Sequence, residues 1–268
     1  MKSLSRVFLR LLSRTARPFL KSYGLLSVKK IFNRSALQWT PAAGRIAVLA
    51  PHMDDEVIGC GGTLALHVAA GADVTVVFLT DGSQGSTDAT PGEAVRLTAT
   101  RKQEAERALR ELGVTKIVFL DGQDGGLGAG PNHAVVRGLR AALEAVRPDI
   151  VYLPFFLEEH PDHRAASALL GRAVSGTPLT FQCHAYEVWT PLFPNCLVRI
   201  DHSIDAKRRA LEHYQSQLAE ADYLHTAIGL NAYRSSAMLD GSCRFAEAFF
   251  AVSLPQYLQL LQAYGAAP

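Results

Sequence analysis

The first 53 residues of this 268-residue chain contain no aspartate and no glutamate. Ten of its 27 basic residues lie in that stretch: Lys2, Arg6, Arg10, Arg14, Arg17, Lys21, Lys29, Lys30, Arg34 and Arg45. The body after it is therefore net acidic, although the whole chain carries +2. An acidic body argues against nucleic acid as a partner and gives the leader a role of its own. Long apolar runs are also missing. No run of about 18 apolar residues without a charge occurs, so no transmembrane helix is expected. Cysteine is scarce, with Cys60, Cys183, Cys196 and Cys243 showing no C-x-x-C spacing. That excludes a disulfide framework and reads as ordinary thiols in a reducing compartment. Internal repeats and low-complexity tracts are absent too. What is present is bulk: 48% hydrophobic and 19% charged residues, enough for a sizeable core and too apolar for a disordered chain.

The leader has a pattern. Arg6, Arg10, Arg14 and Arg17 recur at spacings of four and three, so a helix over residues 1–17 places them on one face. Leu4, Val7, Phe8, Leu11 and Leu12 fall largely on another, and Pro18 ends or kinks the helix. Such a basic amphipathic segment suits an anionic membrane surface, contacted through residues 1–35. A packed helix with a solvated basic face, a poorly ordered leader and a transit peptide share the same composition. A secretory signal does not fit, because arginine interrupts every apolar run. The chain divides into a leader at residues 1–40 and one domain at 41–268. The expected location is cytoplasmic, with peripheral contact on the cytoplasmic membrane face.

From residue 45 short apolar runs alternate with helical periodicity. Strands are expected at 46–50, 74–79, 116–120 and 149–154. Helices are expected at 56–70, 93–112 and 133–146, with another at 164–174. Residues 181–200 hold two more strands. The last 65 residues read as mostly helical, with Phe245–Val252 fitting either state. Three βα repeats and a fourth strand imply an α/β, Rossmann-like, three-layer fold with a mostly parallel sheet. The loops 81–92 and 121–130 are long for βα connections, and such loops at strand C-termini line sites.

Two of these strands run into dense polar clusters. The first enters Pro51-His52-Met53-Asp54-Asp55-Glu56 and the fourth enters Glu158-Glu159-His160-Pro161-Asp162-His163. With strand order 3-2-1-4-5, strands one and four are neighbours at the topological switch point, and both clusters face one crevice. Carboxylates this crowded need a cation or protons. Two or three imidazoles with an aspartate suit zinc, and a spare carboxylate can take a proton from water. A dinucleotide site is the rival reading, since Gly59, Gly61 and Gly62 come after the first strand. Their spacing is not G-x-G-x-x-G, and three acids at the helix start would repel a pyrophosphate. The glycines more simply allow helix and sheet to pack closely.

Ala50-Pro51-His52-Met53-Asp54-Asp55-Glu56 followed by Gly59-Cys60-Gly61-Gly62-Thr63 resembles the signature of the LmbE-like, or PIG-L, zinc-dependent N-deacetylases. His160-Pro161-Asp162-His163 resembles that family's second motif. Thr80-Asp81-Gly82, Arg101-Lys102-Gln103-Glu104-Ala105, Tyr214-Gln215-Ser216-Gln217 and Ala246-Glu247-Ala248-Phe249 also match, so the likeness runs over about residues 45–255. The resemblance implies one zinc per chain, held by His52, Asp55 and His163. It implies Asp54 as general base and His160 as oxyanion stabiliser or proton donor, oriented by Asp162. Arg101 would orient substrate or Asp162; a helix-surface arginine paired with Glu104 or Glu106 is the structural reading of the same residue. One position departs: Met53 stands where the family usually has proline. The implied activity is removal of the N-acetyl group from an N-acetylglucosamine-type sugar in a glycoconjugate, lipid-linked if the leader meets membrane. The competing class is a non-catalytic metal-binding protein docking at membranes through its leader.

The remaining histidines, His67, His133, His184, His202, His213 and His225, read as surface or core residues. Asp88 and Asn132 sit in loops that could touch a sugar. Phe155, Phe156, Tyr186 and Trp189 could wall a pocket, although core packing explains them equally.

Overall fold

The computed structural model describes residues 37–84, 90–238 and 241–264. The expected leader helix with its four arginines, and Asp88, lie outside the described residues. The described chain forms one eight-stranded sheet between two helical layers. Its strands are β1 (Leu37–Gln38), β2 (Arg45–Ala50), β3 (Asp73–Thr80), β4 (Lys116–Gly122), β5 (Ile150–Pro154), β6 (Gln182–Tyr186), β7 (Cys196–Arg199) and β8 (Ala246–Ser253). The helices are α1 (Asp55–Ala69), α2 (Pro91–Glu111), α3 (His133–Val146), α4 (Pro161–Val174), α5 (Ile204–Glu212), α6 (Gln215–Leu218), α7 (Tyr223–Ser235) and α8 (Leu254–Tyr264).

The sheet order is β1-β7-β8-β6-β5-β2-β3-β4. The run β4-β3-β2-β5-β6 is parallel throughout and has the order expected from the βα pattern. β8 is antiparallel to both β6 and β7, which makes the sheet mixed. Phe245–Val252, equally helix or strand by sequence, lies largely within this strand. It is a short apolar run, and length decides it only once strands on both sides supply backbone partners. The central strands are buried on both faces because each face carries helices. Ile46, Val48, Val76 and Phe78 pack towards α1, α2, α5 and α7. Ala47, Leu49, Val77 and Leu79 pack towards α3, α4 and α8. All four cysteines are buried and free. No helix among the described residues is long and apolar enough to cross a membrane.

The glycines after β2 serve packing. A Cβ on Gly59 would sit 2.2 Å from the Tyr186 ring, and one on Gly62 would sit 2.9 Å from Ile200. The N–H groups of Gly62 and Thr63 donate to the buried Glu247 on β8, at 2.9 and 2.7 Å. Lys207 on α5 donates to the same carboxylate and to the Ile58 carbonyl, at 2.7 and 2.8 Å. This buried pair clamps α1 against the sheet from within, which is where the structure puts the Ala246–Phe249 element.

In the middle of β6, next to β8, His184 packs against Trp39 and Tyr152, with ring centroids 5.0 and 5.3 Å apart. Its Nδ1 is buried without a partner. Burial, then the neighbouring His67, depress this imidazole to about 4. The unfolded chain, titrating near 6.5, takes up a proton that the folded chain refuses. Stability from this group is therefore present above about pH 6.5 and is lost as pH falls towards 4, by up to about 3 kcal/mol. Urea unfolding of the wild type and His184→Phe should show the wild type losing ground to the variant across that window. Parallel curves would remove His184 as the source.

Candidate active site

β2 and β5 lie side by side, so the loops at their C-terminal ends meet. The β2 loop lacks the family's proline, yet it is anchored. The Thr80 N–H and Oγ1 both donate to the Pro51 carbonyl, at 3.1 and 2.7 Å, and Met53 is fully buried beneath. Asp54 has a φ of 152°, a region that side chains other than glycine rarely enter. From there its carbonyl accepts from the N–H groups of Val57 and Ile58 and opens α1. Asp55 and Glu56 occupy the first turn, where the helix dipole favours negative charge. On the other loop, His160 caps α4: its Nδ1 accepts the Asp162 N–H at 3.2 Å, which leaves Nε2 for the cavity. Asp162 thus orients His160 through its backbone. Its carboxylate goes elsewhere, accepting from the N–H groups of Gly125 and Leu127 at 2.8 and 2.9 Å.

His52, Asp55 and His163 converge. His52 Nδ1 lies 3.3 Å from Asp55 Oδ2 and 3.3 Å from His163 Nε2, and His163 Nε2 lies 3.2 Å from Asp55 Oδ1. A tetrahedral ion with bonds of about 2.0–2.1 Å needs donors roughly 3.3–3.4 Å apart; the His52–His163 pair meets that spacing, and Asp55 meets it with a different oxygen towards each imidazole, which suits a metal such as zinc. Two other groupings share His52: one with His160 and His163, one with Asp124 and Asp162. The second uses the far side of the ring. His52 Nε2 faces Asp124 Oδ1 at 3.1 Å and Asp162 Oδ2 at 3.3 Å, the place of carboxylates that hold the remote N–H of a metal-binding histidine. Glu158 Oε2 stands 3.7 Å from His163 Nδ1 in the corresponding position. In the first grouping His160, with its Nε2 left free by the cap, faces the same centre as His52 and His163.

The electrostatics follow from burial. Asp54 is 5% exposed and Asp55 1%. Burial, then the adjacent Asp55, push the Asp54 carboxyl up to about 8. Burial acts on Asp55 too, but His163 and His52 overcome it and hold that carboxyl well below the usual range. Burial works against charge on His52, yet its hydrogen bonds to Asp124, Asp162 and Asp55 raise it well above the ordinary value. His163 rises to about 9, Asp55 outweighing burial. His160 shifts the other way, through burial and then the charges of His52 and His163. Glu56 is pushed up to about 8, chiefly by burial; it accepts from the Tyr214 hydroxyl and lies outside the cavity.

The cavity above these groups encloses about 310 Å³. Of its lining residues, Asp54, Asp55, Arg101 and Asp124 are buried at depth, with His52, His160 and Gln217 partly buried beside them, while the exposed Gln84, Trp189 and Glu220, with Tyr223, stand at the mouth. Arg101 is 4% exposed and is not a helix-surface residue. Its Nη1 donates to the Gly82 carbonyl at 2.7 Å and faces Asp124 Oδ2 at 3.7 Å, while Nη2 donates to Gln217 at 2.5 Å. Its charged partner among the described contacts is Asp124, not Asp162, and Glu104 is taken by Ser216. Tyr214, Ser216 and Gln217 therefore tie one short segment to Glu56, Glu104 and Arg101. Asn132 braces its own loop by donating to the Leu127 carbonyl at 2.8 Å. Phe155, Phe156 and Tyr186 belong to the core, whereas Trp189 reaches the cavity. None of the six remaining histidines lines it. Sequence reasoning passed over Asp124, Gln84, Glu220 and Tyr223. For Asp124 and Gln84 the available signal was the length of the two βα loops that carry them.

A family model described as PIG-L, GlcNAc-PI de-N-acetylase, matches residues 47–174. The chain is 34% identical over 194 residues to a diacetylchitobiose deacetylase of Thermococcus kodakarensis, covering 66% of this chain and 71% of that protein. It is 34% identical to a 1D-myo-inositol 2-acetamido-2-deoxy-alpha-D-glucopyranoside deacetylase of Rhodococcus erythropolis, spanning 58% of this chain and 61% of that protein. Among solved structures, the 4-carboxy-2-hydroxymuconate hydratase GalB of Pseudomonas putida superposes with a TM-score of 0.65 at 21% identity, over 79% of this chain and 96% of that one. That last likeness concerns the fold alone.

Metal titration separates the inner donors from the groups behind them. His163→Ala should abolish stoichiometric zinc binding. Asp162→Asn should keep the site but weaken it about 10–100-fold, the usual cost of losing a carboxylate behind a histidine ligand. Equal zinc affinity in His163→Ala and wild type would take His163 out of the donor set.

Proposed function

Because this chain belongs to the PIG-L family of de-N-acetylases, its site is read through amide hydrolysis, and we propose that it removes the acetyl group from an N-acetylglucosamine-type sugar. The observation that carries this reading is that His52, Asp55, the separate buried carboxyl of Asp54 and the His160 imidazole line one cavity, with His163 in contact with His52 and Asp55. Zinc bound by His52, Asp55 and His163, one ion per chain, would polarise the acetamide carbonyl, acidify the attacking water and bring Asp54 back to its carboxylate form.

The chain's own residues do the rest. Asp54 takes the proton from the water as it attacks the carbonyl carbon. His160 Nε2 donates a hydrogen bond to the carbonyl oxygen as negative charge builds there. Asp162 keeps His160 and His52 in place, one through its N–H and the other through its carboxylate. Asp54 then passes its proton to the nitrogen, the C–N bond breaks, and acetate and a free amine leave. Arg101, lining the cavity, would orient the sugar. A non-catalytic metal protein would need none of these groups beyond the three donors.

The acid-free leader would adsorb to an anionic membrane on its cytoplasmic side, with each basic residue contributing about 1 kcal/mol. Deleting residues 1–35 should then abolish co-sedimentation with anionic vesicles at low salt, and unchanged co-sedimentation would end that claim. For the chemistry, Asp54→Asn should retain zinc and lose about 10²–10⁴ in turnover, read as acetate release. Undiminished turnover with full metal would strike Asp54 from the mechanism.

A further inference from the structure

The cavity is lined mostly by polar side chains, but two aromatic rings join Glu220 at its mouth. Trp189 and Tyr223 meet there with ring centroids 5.1 Å apart at 64°. Trp189 is 42% exposed, against 4% for Arg101 and 5% for Asp54, so it stands at the lip while the reacting groups lie at depth. A large aromatic left open at the rim of a polar cavity is a recognition feature more than a packing one.

The lip is also rigid. Glu158, fully buried, accepts from the N–H groups of Val188, Trp189 and Thr190 at 2.6, 3.1 and 3.2 Å. Glu187 accepts from the Leu192 N–H at 2.8 Å and from Arg234 Nε on α7 at 2.8 Å. Arg234 returns a bond to the Leu192 carbonyl at 2.8 Å. Two buried carboxylates thus fix the loop that carries Trp189 and join it to the helix that carries Tyr223. A surface held ready in this way loses little freedom when a ligand covers it.

Charge narrows the ligand. The mouth carries the acid Glu220. Among the described lining residues the single guanidinium is Arg101, at depth and already tied to Gly82 and Gln217. Among the described lining residues, a phosphate or diphosphate at the lip would meet Glu220 and no cation. A sugar ring needs none: its C–H face packs on indole and phenol, and its hydroxyls face water. A volume of about 310 Å³ lies at the small end for ligand pockets, so any group attached to the reacting ring lies outside it, at the lip.

Resting on the deacetylase reading, we propose that Trp189 and Tyr223 form a subsite for a second, uncharged sugar ring joined to the N-acetylated sugar that reacts. The lip selects a saccharide over a phosphate-linked carrier. The test is initial-rate kinetics of the zinc-loaded protein on N,N'-diacetylchitobiose, N-acetylglucosamine and N-acetylglucosamine 1-phosphate. Trp189→Ala should cost the disaccharide more than the monosaccharide by on the order of tenfold in kcat/KM, chiefly through KM. Trp189→Phe should recover most of the difference, and the 1-phosphate should be the poorest substrate. Equal losses on both sugars, or a preference for the 1-phosphate, would overturn the subsite. If the wild type hydrolyses none of the three, the deacetylase reading fails separately. Binding then decides the subsite: a saturable change in tryptophan fluorescence with the disaccharide, lost in Trp189→Phe, supports it, and no saturable change refutes it.

Discussion

The structure turns on one carboxylate. Asp55 is 1% exposed and stands 3.2–3.3 Å from two imidazoles on different loops. An anion in that position is tolerable only with positive charge beside it, from protonated histidine or from a metal ion. The neighbouring groups follow from this need. His52 is held from behind by Asp124 and Asp162, and His163 has Glu158 at its back. Asp162 is itself pinned by two backbone N–H groups of the β4–α3 loop, and Asp124 accepts the Gln84 N–H from the β3–α2 loop. A single buried charge thereby draws three strand-end loops into one wall. Asp54, next in the chain but without an imidazole contact of its own, is left with a carboxyl raised to about 8 and free to exchange protons.

Much of this was legible in the sequence. Apolar strands separated by amphipathic helices have few arrangements, and β4-β3-β2-β5-β6 is the one in which the two acidic motifs end on adjacent strands. His52, Asp54, Asp55, His160, Asp162 and His163 announce themselves because they are dense and local. Asp124 does not. It is one aspartate in a glycine-rich loop, and only the fold brings it within 3.1 Å of His52. Arg101 was visible as part of a motif, but helical periodicity could not tell a surface arginine from one buried under Gly82 and Gln217. Leu37–Gln38 pairs with β7 through two residues, too short a strand to carry a pattern.

The molecule holds a second buried charge cluster that shows what the site is not. Glu247 and Lys207 are fully or almost fully buried, and their side-chain hydrogen bonds go to each other or to the backbone of α1. That cluster faces no cavity and holds a helix. The Asp55 cluster opens onto one, with a carboxyl and an imidazole facing inward. The likeness in fold to a hydratase makes the same point: the three-layer sheet admits several chemistries, and the side chains at the strand ends decide among them.

The central claim is that His52, Asp55 and His163 share one ion. Anomalous diffraction from crystals of the zinc-loaded protein, measured on either side of the zinc edge, tests it directly. The account predicts a single peak about 2.0–2.2 Å from His52 Nδ1, an Asp55 oxygen and His163 Nε2. A peak bound instead between His52 Nε2, Asp124 and Asp162, or no peak at either place, would contradict it.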